Sequence, residues 1–255
     1  MIDIHSHILF GVDDGPKDKE TSIELLELAV KEGITGMIST SHCFHPQYHA
    51  DGNEAVKQVA LLNEEAKRLQ LPLKIHVGHE ARLREDLVKQ IKEGKVHTLA
   101  GSKYLLLELP SQGIPKYTTE IIHQLLSEDI LPIIAHPERN RAIADNPNRL
   151  KKLINHGAIA QITSGSLAGH FGRSIQKLSL QLVDANLVHV YGSDVHNKKT
   201  RPYKFDKGLR YLEKNKRLDA VDIFLENNAR IIENSEVIIL EPEDLEKPKW
   251  WNLFS

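Results

Sequence analysis

Short apolar runs recur along the chain, and segments with the 3.6-residue period of a helix separate them. Each run is almost continuously apolar rather than alternating, which is typical of parallel strands that are buried on both faces. Strand–helix units repeated in this way build either an open doubly wound sheet or a closed barrel. The seven predicted strands are 2–4, 36–40, 73–78, 104–109, 131–135, 158–163 and 187–192.

Helix boundaries can be predicted from the segments between the strands. The segment Asp18–Lys31 has one apolar face and is followed by Gly33, a typical stop signal. Asn146 and Pro147 predict the start of another helix, which Gly157 ends. A chain of 255 residues is long enough for one α/β barrel. We therefore predict a single barrel domain over residues 1–235 and a C-terminal tail over 236–255.

Six of the seven predicted strands end in an imidazole or a carboxylate. The carboxyl ends of parallel barrel strands converge on one rim, where barrel enzymes build their active sites, so we favour a barrel related to the TIM type. So many ionisable groups in one cleft require either water or a neutralising cation. The side chains in question are His5, His7, Asp14, His42, Glu80, Glu108, His136, Asp194 and His196.

The spacing and chemistry of these residues predict a metal cluster. Residues i and i+2 of a strand point to the same side, so His5 and His7 can reach one ion, as can Asp194 and His196. Nitrogen and oxygen donors without a thiolate suit Mn, Fe or Zn. Nine ligands are too many for one ion, so two or three divalent metals are expected.

Two arginines follow predicted ligands closely. Arg139 lies three residues after His136, and Arg201 lies five residues after His196. Guanidinium groups bind phosphate oxygens in a bidentate manner, so both arginines are candidates for a phosphate site. Pairing with nearby surface acids is the alternative for each of them.

Composition excludes several classes of partner and setting. The formal net charge of −2 favours neither nucleic acid nor an anionic membrane. No apolar run approaches the roughly 18 residues of a spanning helix, and the N-terminus lacks the features of a signal peptide. The single cysteine, Cys43, fits a reducing, cytoplasmic setting. A cysteine-based phosphatase would need an arginine six positions after Cys43, where His49 stands.

The motifs together resemble those of the PHP (polymerase and histidinol phosphatase) superfamily. Within it, the chain is similar to the bacterial protein-tyrosine phosphatases of capsule and exopolysaccharide operons, the CpsB/YwqE type. The similarity extends from about residue 1 to about residue 235, and the one departure is Cys43 where this group often has a second histidine. The motifs are MIDIHSHILFGVDDGP, STSH, GHE, LLLELP, IAHPERNR, QITSGSLAGHFG and GSDVHN.

The resemblance implies a distorted (β/α)7 barrel with three metals, manganese as the usual activating metal, and a tyrosine autokinase as the protein substrate. A metal-activated hydroxide would attack the phosphorus, since bound metals lower the pKa of water toward about 7. Arg139 and Arg201 would hold the phosphate. The first metal would take His5, His7, Glu80 and Asp194, the second Glu80, Glu108 and His136, and the third Asp14, His42 and His196.

Three other functions compete with phosphotyrosine hydrolysis. A PHP phosphatase for a small metabolite such as histidinol phosphate would use the same metals, but HPERNR and ITSGSLAG favour the tyrosine phosphatases. An amidohydrolase would need a lysine at a suitable strand end, and no such lysine is found. A non-catalytic PHP scaffold would have lost its ligands, whereas all nine are present.

Overall fold

The computed structural model describes residues 1–48 and 50–245. All strand pairs among them are parallel, and helices follow the strands in a repeating order. The strands of this part of the chain are β1 Ile2–Ser6, β2 Gly36–Ser39, β3 His42–Cys43, β4 Lys74–Val77, β5 Glu80–Arg82, β6 Tyr104–Glu108, β7 Leu131–Ala135, β8 Ile159–Thr163 and β9 Val190–Gly192. The α-helices are α1 Lys19–Lys31, α2 Gly52–Arg68, α3 Leu87–Lys92, α4 Thr118–Leu126, α5 Arg141–Asp145, α6 Asn148–Asn155, α7 Ser164–Leu167, α8 Arg173–Asp184, α9 Phe205–Lys214 and α10 Leu218–Ile232.

Two of the seven predicted strands are each followed, after a break, by a short strand that was not predicted. β3 follows the second predicted strand and β5 follows the third, and the strands divide into a sheet β1-β2-β4 and a sheet β3-β5-β6-β7-β8-β9. At the break, Thr40 donates its N–H to Ser6 O and accepts the Ser6 N–H on its hydroxyl. A side chain thus replaces part of the strand ladder, and the chain turns from one sheet into the other.

The first and last strands close the ring. Asp194 N–H donates to His5 O at 2.8 Å, and His7 N–H donates to Val195 O at 2.9 Å. Gly192 permits this approach, because a Cβ there would lie 2.6 Å from His5 Cβ. These contacts complete a distorted α/β barrel of the TIM-like PHP type, and the predicted fold class is confirmed.

Both faces of the strands are buried, as the apolar runs predict. Leu106, Ile133 and Ile159 belong to a cluster that fills the barrel, whereas their neighbours Leu105 and Ile134 pack outward against the helices. This alternation along each strand explains why so few polar residues occur inside the runs. Each such side chain contributes about 1.5–3 kcal/mol through burial.

Residues after α10 close the end of the barrel opposite the predicted ligands. Tyr104, at the start of β6, donates its hydroxyl to Ser235 O at 2.7 Å and accepts the Val237 N–H at 3.2 Å. The start of the predicted tail therefore contacts the barrel at Val237, whereas Trp250 and Trp251 lie outside the described residues. Within residues 1–48 and 50–245, no helix combines the length and apolar character that crossing a membrane requires.

A buried histidine between the last two strands makes stability depend on pH. His189 accepts the Ala160 N–H on Nδ1, and burial lowers the pKa of His189 to about 4. The unfolded chain binds this proton near pH 6.5, so the free energy of unfolding falls as the pH drops from 6.5 toward 4. The group is expected to contribute about 3 kcal/mol of this loss.

We predict that His189→Asn, which keeps an acceptor for Ala160, flattens the pH dependence of stability over this window. The measurement is urea unfolding of the metal-free protein at several pH values, compared with the parent chain. His123→Asn, at an exposed position of α4, serves as the control and should leave the slope unchanged. Equal slopes for parent and His189→Asn would contradict the assignment.

Candidate metal centre

All nine predicted ligands lie together at the carboxyl ends of the strands. Their nitrogen and oxygen atoms form four overlapping groups, and within each group the atoms lie within 4.8 Å of one another. The first group contains the three ligands predicted for the third metal, together with His7. The groups are His7, Asp14, His42 and His196; His5, His7 and Glu80; His5, His136 and Asp194; and His42, Glu80 and Glu108.

The β1 histidines, His5 on the strand and His7 directly after it, point their Nε2 lone pairs at each other when both rings are neutral. His5 Nδ1 donates a hydrogen bond to Gln161 Oε1 at 3.0 Å, and His7 Nδ1 donates to Asp13 Oδ2 at 2.8 Å. A neutral imidazole has one N–H, so both Nε2 atoms then carry lone pairs. These two Nε2 atoms lie only 3.3 Å apart. Lone pairs that meet in this way repel each other unless a cation lies between them.

Two carboxylates surround the same point. Distances from the two Nε2 atoms to Glu80 Oε2 and Asp194 Oδ1 range from 3.2 to 3.5 Å. Ligands about 2.1 Å from a metal at tetrahedral angles lie about 3.4 Å from one another. The spacing of His5, His7 and Glu80 therefore fits a metal ion, whereas Asp194 groups with His5 and His136. The four ligands predicted for the first metal are thus divided between two overlapping groups.

Electrostatics at this point also favour positive charge. Burial lowers the pKa of His5, but the charges of Asp194 and Glu80 outweigh it and raise the pKa to about 10. For His7, burial is opposed by the charge and hydrogen bond of Asp13, and the pKa rises to about 9. Protons on these rings and divalent cations would thus compete for one region of strongly negative potential.

A second compact set lies beside the first, around Asp14. His196 Nδ1 donates to Asp194 O at 3.0 Å, which leaves its Nε2 lone pair 3.2 Å from Asp14 Oδ1. His42 Nε2 lies 3.6 Å from the same oxygen. Burial lowers the pKa of His42 to about 3 and that of His196 to about 4, so both rings are neutral and able to bind a metal.

Glu80 connects the sets. Its Oε2 lies 3.1 Å from His42 Nδ1 as well as near both β1 histidines, and its Oε1 lies 2.6 Å from His136 Nε2. A carboxylate whose two oxygens face different imidazoles can bridge two cations. Glu108 Oε2 lies 3.9 Å from His42 Nδ1, so Glu108 groups with His42 and Glu80 rather than with His136.

Several ligand atoms are buried without a hydrogen bond. Within the described part of the chain, this holds for Asp14 Oδ1, His42 Nδ1, Glu80 Oε2 and Asp194 Oδ1, whereas Glu108 Oε2 pairs with Arg82 Nη1 at 3.0 Å. Nearly all buried polar atoms in proteins have a partner, because an unmet one costs about 1–3 kcal/mol. The donor set and these unmet atoms together fit bound divalent metals.

Two predicted ligands sit on strained backbone. His136 has φ of 33° and Asp194 has φ of 54°, both in the left-handed region. For residues other than glycine this conformation costs about 1–2 kcal/mol. The strain lies directly after β7 and after β9, where it turns both side chains into the barrel mouth.

Asp13 and Gln161 support the cluster, and neither was predicted from the sequence. Asp13 Oδ2 accepts from His7 Nδ1 and also from the His42 N–H at 3.0 Å. Gln161 Oε1 accepts from His5 Nδ1 and from the His136 N–H at 3.3 Å. Gln161 is a polar residue within an otherwise apolar strand, and this exception could have indicated a role at the site. Asp13 and Asp14 are adjacent identical residues, so the sequence does not show that Asp14 is the candidate ligand and Asp13 the residue that supports His7.

Both predicted arginines reach the cluster. Arg139 Nη2 and Arg201 Nη2 each lie 2.6 Å from Asp194 Oδ2. Arg201 Nη1 also lies 2.6 Å from His196 Nε2 and 3.3 Å from Asp14 Oδ2. Burial raises the pKa of Asp194, but these guanidinium groups hold it well below the usual range. Both arginines thus contact predicted metal ligands rather than the nearby surface acids that were the alternative.

The cluster opens into a cavity of about 430 Å³. Arg139 and Arg201 line it together with ligands from both sets, such as Asp14 and His136. Cys43 is not among its lining residues: the thiol is fully buried, and burial raises its pKa to about 12. A thiol in this state is a poor nucleophile.

Comparison with known proteins gives one family and close relatives. The sequence profile of a family described as capsular polysaccharide synthesis, CpsB/CapC, matches residues 1–233. The chain is 38% identical over 258 residues to CapC of Staphylococcus aureus, which covers 99% of this chain and 100% of that protein. It is 36% identical over 254 residues to the tyrosine-protein phosphatase YwqE of Bacillus subtilis, with 100% of both chains covered.

A solved structure agrees with the fold over nearly the whole chain. It is described among structures of YwqE from Bacillus subtilis and CpsB from Streptococcus pneumoniae, as metal-dependent tyrosine phosphatases. The TM-score is 0.94 at 36% sequence identity, and the match covers 97% of this chain and 100% of the other.

We predict that Asp13→Asn weakens metal binding about 10- to 100-fold, the usual effect of removing a partner of a metal-binding histidine. The amide can no longer hold His7 through a charged acceptor, and the pull of a buried carboxylate on the cations is lost. Calorimetric titration of the metal-free protein with Mn²⁺ measures the change. Asp222→Asn, exposed on α10, is the matched control. Equal affinities in both variants would exclude a supporting role for Asp13.

Proposed function

Because the chain belongs to the capsular polysaccharide synthesis family CpsB/CapC, we propose that it is a metal-dependent tyrosine phosphatase that hydrolyses phosphotyrosine on proteins. The observation that carries the proposal is the combination of a cation-fitting cluster and two arginines on one cavity. The named relatives YwqE and CpsB are tyrosine-protein phosphatases and support the same activity.

The nine residues of the cluster would hold two or three divalent metals, with manganese as our proposal for the activating ion. His5, His7 and Glu80, with Asp194 close to both histidines, would hold one ion, and Asp14, His42 and His196 would hold another. Glu80, with His136 and Glu108 near it, would share its carboxylate with a third. When bound, such ions supply an activated water and neutralise phosphate charge.

The two arginines would hold the phosphoryl group over the cluster. Each guanidinium now pairs with Asp194, and each can turn its remaining N–H groups toward a phosphate in the cavity. Planar bidentate donors match the oxygens of a phosphate better than a point charge does. As charge moves onto these oxygens during hydrolysis, fixed donors stabilise it without reorganisation.

A bacterial tyrosine autokinase that regulates capsule or exopolysaccharide synthesis is the protein substrate we propose. The family description links the chain to capsular polysaccharide synthesis, and phosphotyrosine on a bacterial protein requires a kinase to form it. The cytoplasm is the proposed location, because kinases take their phosphate from ATP there.

The competing functions lack comparable support. An amidohydrolase of the type considered above needs a lysine near the metals, and none of the described residues that line the cavity is a lysine. A scaffold without metals would not preserve unmet ligand atoms in its interior. A phosphatase for histidinol phosphate would use the same cluster, so only the substrate distinguishes it.

We expect the purified protein with Mn²⁺ to release phosphate from a phosphotyrosine peptide with a kcat/KM at least 10-fold above that for histidinol phosphate. Phosphate release is measured for both substrates at equal metal concentration. Dominant turnover of histidinol phosphate would reverse the assignment.

A chelator and a thiol alkylator separate the metal mechanism from a cysteine mechanism. The chelator should abolish turnover, and Mn²⁺ should restore it. The alkylator should have little effect because Cys43 is buried, and Cys43→Ser should hydrolyse the peptide normally. Inactivation by the alkylator but not by the chelator would exclude the proposed chemistry.

We predict that Arg139→Lys lowers kcat/KM for the phosphotyrosine peptide by about 10²-fold or more, comparable to losing a fixed donor to transition-state charge. Lysine keeps the positive charge but loses the planar fork, so the effect should fall mainly on kcat. Metal content measured in parallel should stay at the parent level. Arg173→Lys, exposed at the start of α8, is the control, and an equal loss there would show that the effect is not specific to the phosphate site.

A further inference from the structure

The cavity above the cluster contains more than a phosphate site requires. Besides polar residues, it is lined by the side chains of Tyr48, Leu109, Ala135 and Phe171. Cavities that bind only small anions are surrounded by donors, whereas apolar walls are typical of sites for organic groups. A volume of about 430 Å³ leaves room for a ring beyond the phosphate.

One wall is a row of parallel rings that starts at the cluster. His42 stacks on His45 with ring centroids 4.8 Å apart, and His45 stacks on Tyr48 at 5.3 Å with an angle of 16° between the planes. His45 and Tyr48 lie on the loop after β3, and the Tyr48 N–H donates to His45 O at 3.2 Å. The Tyr48 ring is therefore fixed beside a predicted metal ligand and is only partly exposed.

The other aromatic lining residue comes from the loop after α7. The Arg139 guanidinium carbon lies 5.1 Å from the centre of the Phe171 ring, so this ring supports one of the two phosphate-binding arginines. Phe171 and Tyr48 come from separate loops and line one cavity with both arginines and His136. A phosphate that contacts the arginines would carry its ester group into the space between these loops.

We propose that Tyr48 and Phe171 form an aryl subsite that selects phosphate esters of phenols over those of alkyl alcohols. The proposal rests on the proposed function, since it concerns the ester side of the same phosphate site. An aromatic ring of the substrate would contact the Tyr48 ring face and the apolar surface of Leu109. The chemical class of ligand is an aryl phosphate monoester, and the phosphotyrosine side chain belongs to it.

Ring contacts of this kind have a measurable size. An aromatic pair contributes about 0.5–1.5 kcal/mol beyond simple burial, and the affinity of a ligand with a ring should therefore change by about 3- to 10-fold when one wall is removed. Methylphosphonate and inorganic phosphate have no aromatic ring, so their affinity for the protein should not depend on Tyr48. Tyr48 is the better position for the test, because a change at Phe171 would also disturb Arg139.

The experiment compares phenylphosphonate, methylphosphonate and inorganic phosphate as ligands of the Mn²⁺-loaded protein. Calorimetric titration gives the dissociation constant of each for the parent chain, Tyr48→Ala and Tyr48→Phe. We expect phenylphosphonate to bind the parent more tightly than methylphosphonate, and Tyr48→Ala to reduce this preference about 3- to 10-fold. Tyr48→Phe keeps the ring and should keep the preference.

The outcomes separate the two proposals. If none of the three ligands binds the metal-loaded parent, the phosphate site itself is wrong. If methylphosphonate and phosphate bind but Tyr48→Ala leaves the phenyl preference unchanged, the aryl subsite is wrong and the proposed function stands. If Tyr48→Phe loses as much preference as Tyr48→Ala, the hydroxyl rather than the ring makes the contact, and the stacking role is rejected.

Discussion

The close packing of imidazole nitrogens and carboxylate oxygens at the barrel mouth is the constraint on which the rest of the structure depends. Asp13 and Gln161 accept the Nδ1 hydrogen bonds of the β1 histidines, so both Nε2 atoms face Glu80 and Asp194. Positive charge is needed among these atoms, and it comes either from protons on the two rings, whose pKa values are raised, or from cations. Divalent cations would also meet the unpaired oxygens around them.

The barrel is deformed where it serves this arrangement. After the breaks between β2 and β3 and between β4 and β5, the short strands β3 and β5 belong to the six-stranded sheet. There His42 and Glu80 lie directly opposite each other on paired strands. The left-handed residues after β7 and β9 have the same effect on His136 and Asp194. A regular barrel would place these four side chains farther from one another, so the irregular backbone belongs to the metal centre.

Much of this was predictable from the sequence, because strand ends and ligand chemistry leave clear patterns. Apolar runs located the strands, and nine polar residues after them located the cluster that the structure brings together. The break between β2 and β3 was not predictable: residues 39–41 include no glycine or proline, and the break depends on Thr40 contacting Ser6 from a distant part of the chain. The break between β4 and β5 did have a signal, since Gly78 lies in it. The roles of Asp13 and Tyr48 were missed for a similar reason, since both depend on what a loop contacts after folding.

The closure of the ring by its first and last strands has a consequence for how the protein is made. His5 and His7 leave the ribosome almost two hundred residues before Asp194 and His196. Asn228 of α10 then donates to Ile2 O at 2.9 Å and holds this helix against β1. A nascent chain therefore cannot assemble the whole metal cluster before His196 has been translated, so a product that ends earlier would be released without the catalytic centre.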